Sequence, residues 1–121
     1  MISTHSVKAG RKTHKLKASM RAQVRLEEET GQPIGEILNQ LLSGSGGVKL
    51  VSQAWAAFLD DGAGVELDDA LDLLDALGGA NSAGEHLAKT LQNAFPFLRD
   101  EEPEGNEPGE GDAGNAESPA A

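Results

Sequence analysis

The chain has no cysteine. This excludes disulfides, thiolate metal sites and cysteine nucleophiles together, and points to a reducing compartment, the cytoplasm. Aromatic residues are almost as scarce, with one Trp, three Phe and no Tyr in 121 residues. No apolar run approaches the roughly 20 residues of a membrane span. No apolar stretch follows the first basic residues as a secretion signal requires. Positive charge is also short, at 10 Lys+Arg against 20 Asp+Glu for a formal charge of -10. As a whole, such a chain is repelled by nucleic acid and by anionic membranes, so binding to either has to be local. The length allows one small domain with tails, on a prior of roughly 100 to 200 residues per domain.

What charge there is divides the chain into three. Residues 1–25 carry Lys8, Arg11, Lys12, Lys15, Lys17, Arg21 and Arg25 and no acid, whereas 26–99 carry 12 acids against Lys49, Lys89 and Arg99. Residues 100–121 hold 8 acids and no base. That last stretch is built from Glu, Gly, Pro, Asn and Ala, with no large apolar side chain to offset the entropy of ordering its backbone, and is expected to be disordered. The division is therefore a basic hairpin or arm over 1–18, a helical domain over 19–99 and an acidic tail over 100–121. A structured part of this size buries one modest core, and a partner or a second copy of the chain would help to complete it.

Residues 2–18 alternate loosely about Ala9-Gly10-Arg11, which in a hairpin places His5, Val7, His14 and Leu16 on one side. Ser19 is an N-cap for a helix to about Thr30 that is closed by Gly31, with Met20 and Val24, joined by Gln23 and Glu27, at helical spacing. Pro33 suits the first turn of a second helix carrying Ile34, Ile37, Leu38, Leu41 and Leu42, which the Ser43–Gly47 run ends. Val48 to Asp60 repeats the pattern with Val48, Val51, Trp55, Phe58 and Leu59, and a turn-rich break follows at Asp60–Gly64. In Leu67–Leu77, Leu67, Ala70, Leu71, Leu74 and Leu77 point inward and Asp68, Asp69, Asp72 and Asp75 outward, with Gly78-Gly79 as the stop. Ser82 can cap a last helix carrying Leu87, Leu91, Ala94, Phe95 and Leu98, which Pro96 bends or ends. The predicted fold is mainly α, a small bundle of about five short helices behind an N-terminal β-hairpin or extended arm.

Catalytic patterns are missing. No HExxH, GxSxG, phosphate-binding or dinucleotide glycine motif occurs, so the expectation is a non-enzyme without cofactor. His5 and His14 can face one another across the hairpin in one register, but two imidazoles without a nearby carboxylate or thiolate fall short of a zinc site. The acids of Asp68–Asp75 lie on a regular helix rather than in a glycine-turned calcium loop, so they read as a solvated face. The basic segment VKAGRKTHKLKASMRAQVR has no aromatic for base stacking and no helix-turn-helix or zinc-finger spacing, which argues against nucleic acid as a partner.

The order of these signals resembles a known family. SMRAQVRLEEETGQPIGEIL is similar to the first helices of siphophage tail assembly chaperones, and AWAAFLDDGAGVELDDALDLLDALG to their aromatic-bearing helix, loop and acidic helix closed by Gly. EHLAKTLQNAFPFL, followed by an acidic tail, completes the likeness, which covers about residues 12–98. One departure is Glu66 before the acidic helix, where members often place a capping Thr. The resemblance implies a non-catalytic protein of the host cytoplasm that binds the tape-measure protein and keeps it soluble. It also implies help in recruiting tail-tube subunits and departure from the finished tail.

A chaperone of amphipathic helices needs an apolar face with anchors at three-four spacing. Trp55, Phe58 and Leu59, with Leu87, Leu91 and Phe95, are the candidate partner-binding residues, and each is otherwise a core residue. Two other readings compete. One is a small acidic adaptor or antitoxin-like module that folds on a partner, and the other is a nucleic-acid regulator using the basic arm.

Overall fold

The computed structural model describes residues 2–100; the expected acidic tail lies outside the described residues, except for Asp100. Two antiparallel strands, β1 (His5–Ala9) and β2 (Lys12–Leu16), precede five helices: α1 (Met20–Thr30), α2 (Ile34–Ser43), α3 (Gly47–Phe58), α4 (Leu67–Ala76) and α5 (Ala80–Ala94). A single turn, α6 (Phe97–Asp100), ends the described chain. The molecule is thus the mainly α bundle with an N-terminal hairpin that the spacing predicts.

The hairpin closes through Gly10, whose φ of +64° supplies the left-handed position a two-residue turn requires. Pairing sets Val7 opposite His14 and His5 opposite Leu16, so all four share one face. His5 and His14 are therefore diagonal neighbours rather than partners. The hairpin is not a free arm, because Val7 and Leu16 are buried in the same core as the helices. Lys17 N donates to Phe58 O at 3.0 Å and Asp61 N to Lys15 O at 3.0 Å, tying the second strand to the end of α3 and the loop that follows.

Ser19 caps α1 as expected, its hydroxyl accepting from Ala22 N, and Gly31 ends the helix in the left-handed region. The buried face is not the expected one. Met20 and Val24 are exposed at 66% and 49%, while Ala22, Gln23 and Leu26 turn inward. The reason is packing distance: α1 lies against α3, whose run Ala54–Phe58 is buried throughout, and small Ala22 allows the close approach. Gln23 tolerates burial because its amide donates to Ala18 O at 3.0 Å.

Helix α3 is the axis of the core, with Trp55 and Phe58 fully buried and α1, α4 and α5 packed around it. Glu66 precedes α4 without making a side-chain cap. α5 begins two residues before the expected Ser82 cap, after Gly79, whose φ of +97° turns the chain out of α4. It ends at Ala94, before Pro96, with Leu98 packed on the core from α6.

Candidate functional site

The structure places the six candidate binding residues mostly inside. Trp55, Phe58, Leu59, Leu87 and Leu91 are buried members of the core, and Phe95 is partly buried against it. As an open client face the set is corrected, since a bundle this small with four aromatics uses its largest side chains to fill its centre. Phe95 packs its ring edge-on to exposed Phe97 at 6.1 Å.

Leu87 and Leu91 nevertheless reach a site from below. They form the floor of an apolar hollow of about 310 Å³ whose walls include Leu41, Leu42, Val51 and Ala88. A second hollow of about 360 Å³, lined by Val48, Ser52, Leu71, Leu74, Asp75 and Ala83 among others, shares Leu41, Gly44, Val51 and Gly84 with the first. Together they make one groove between the end of α2, the start of α3, α4 and α5.

Local chemistry explains why the groove is open. Leu41 and Leu42 are consecutive on a helix and point about 100° apart, so packing that covers Leu41 leaves Leu42 half exposed. Gly44 and Gly47 turn the chain at φ of +78° and +76° and present no side chain to the groove they line. Val48, next in line, stands 70% exposed. On the facing wall Leu71 is 37% exposed, and a Cβ added to Gly84 would meet nothing within 4 Å. Beneath the groove, Trp55 Nε1 donates to the carbonyl of Ala83, a groove residue, at 3.3 Å. Buried Ser52 returns its hydroxyl proton to Val48 O at 2.9 Å.

An elongated apolar trough with recessed glycine walls can accept the side chains of one helix at three-four spacing. Sequence spacing had put Leu71 inward and included Val48 in its helix's stripe, but it could not join residues 41, 48, 71 and 84 from four helices into one rim.

A third hollow of about 360 Å³, separate from the groove, lies between β2 and α4, floored by Leu59, Val65 and Leu73 and rimmed by His14, Lys15, Asp60, Asp61 and Asp69. Its rim carries both charge signs. Beyond it, on the opposite edge of the hairpin, His5 Nε2 lies 2.9 Å from His86 Nδ1, and the Trp55 ring meets His86 edge-on at 6.1 Å. Burial, and then the neighbouring His86 and Lys89, hold His5 below the usual imidazole value. Among the described residues no three His, Asp or Glu side chains gather as a metal site, and no helix is long and apolar enough to cross a membrane.

No family model, no curated protein and no solved structure matches this chain.

Proposed function

We propose that this protein is a non-catalytic tail assembly chaperone of the siphophage kind, working in the host cytoplasm. It binds apolar helical segments of the tape-measure protein, holds them from aggregating while tail-tube subunits are recruited, and leaves the finished tail. The groove carries the reading. A small domain that leaves Val48, Leu42 and Leu71 partly in water, over a floor of Leu87 and Leu91, keeps apolar surface that a partner can cover. The resemblance over residues 12–98 supports the tape-measure protein as the client.

The test is co-expression with the tape-measure protein encoded in the same genome, scoring client solubility and co-purification. Wild type should rescue the client. Gly84→Leu, which fills the trough, and Val48→Asp, which charges its rim, should fold and fail to rescue. If wild type neither rescues nor co-purifies the client, the protein is instead an adaptor for a different partner.

A further inference from the structure

One apolar strip of α4 carries Leu67, Leu71 and Leu74, the last two of which line the groove, and each is followed by an aspartate: Asp68, Asp72 and Asp75. At about 100° per residue, these carboxylates occupy the next strip around the helix, on the side away from buried Ala70. Asp75 itself lines the groove, and all three are exposed. Among the described residues none has an ion-pair partner, the one salt bridge being Arg25–Glu29 on α1. One open edge of an apolar trough is therefore a row of uncompensated negative charge.

We infer that the groove selects an amphipathic helix whose apolar anchors are bordered by Lys or Arg along one side, and rejects helices bordered by Asp or Glu. This rests on the reading of the groove as a helix-binding site and adds the charge of the occupant. Apolar contact holds the helix in the trough, while the carboxylate row fixes which way it lies and which sequences enter. Each exposed pair contributes little alone, so the effect is discrimination between basic and acidic helices more than raw affinity.

The experiment uses three synthetic peptides that share one leucine pattern at three-four spacing and are flanked by Lys, Gln or Glu. Binding to the full-length protein is followed by calorimetry and by the fluorescence of Trp55, which sits beneath the groove. The Lys peptide should bind about tenfold more tightly than the Glu peptide at low salt, with the gap closing as salt screens the rim. Because the whole chain is acidic, two variants separate local from global charge. Asp72→Asn/Asp75→Asn should remove most of the Lys-over-Glu preference, and Glu28→Gln/Glu36→Gln, on other helices, should keep it. Equal binding of Lys and Glu peptides, an unchanged preference in the Asp72/Asp75 variant, or no binding of any peptide overturns the inference. If Lys peptides bind through the groove but the tape-measure protein does not, the chaperone reading fails and the charge selection stands. A tape-measure segment held in the groove without regard to its flanking charge gives the reverse.

Discussion

The imidazoles of His5 and His86 meet nitrogen to nitrogen at 2.9 Å, across 81 residues of chain, and join the first strand to the last long helix. One ring must donate and the other accept, so the bond requires at least one neutral imidazole. His5 is held below its ordinary value first by burial, then by His86 and Lys89. A depressed folded-state pKa means that, below about pH 6.5, the unfolded chain binds a proton that the folded chain resists. The contribution is present above that pH and lost as pH falls through the folded value. Urea midpoints should therefore drop more between about pH 7.5 and 5.5 in wild type than in His5→Gln, which cannot titrate there. Parallel curves for the two proteins would rule the coupling out.

Ser19 works on two elements at once. Its Oγ accepts from Ala22 N at 3.1 Å and donates to Gly62 O at 2.8 Å, capping α1 while holding the loop before α4. Ser19→Ala should cost about 1 to 2 kcal/mol in chemical denaturation. Gly62→Ala should cost more than about 1 kcal/mol, as a side chain there is strained. Gly62 has a φ of +88°, and its added Cβ would lie 2.6 Å from Ser19 Oγ.

Core and groove should separate under mutation. Trp55→Ala removes the largest fully buried side chain and its bond to Ala83, and should destabilise by about 3 to 5 kcal/mol. Val48→Ser, at an exposed rim position, should stay within about 0.5 kcal/mol of wild type while weakening client capture. Thermal melts with parallel pull-downs measure both, and a Val48 variant as unstable as the Trp55 variant would mean that the rim is structural.

Gly84→Leu offers the opposite signature. Gly84 lies within helix α5 with open space where a side chain would go, and replacing glycine in a helix gains up to about 1 kcal/mol. The melting temperature should hold or rise as binding is lost. Retained binding would place the client elsewhere.

Much of the fold is legible in the sequence because its punctuation is strong. Gly10 sets the hairpin, Ser19 and Gly31 bracket α1, and Pro33 and Gly44 bracket α2, Ser19 through its hydroxyl and the others through a backbone requirement that few residues meet. The face of α1 is less legible: hydrophobicity favours Met20 and Val24, but close packing on α3 favours small Ala22 and a hydrogen-bonded Gln23. For the same reason the large residues Trp55 and Phe58, which stand out as binding anchors, are spent on the centre of a small core. The groove escapes reading because its rim comes from four helices and part of its wall is glycine, whose contribution is the absence of a side chain.

The contact between β1 and α5 also orders events during synthesis. Strand β1 leaves the ribosome well before the helix that covers His5 and accepts the Trp55 N–H through Ala83. Until α5 arrives, His5 and the α5 side of α3 are uncovered. In a nascent chain that stops before α5, the groove lacks Gly84, Ala88 and its floor of Leu87 and Leu91. On the proposed reading, a copy that stops before α5 lacks the groove that would hold a helix, and binding competence would wait until translation has passed α5.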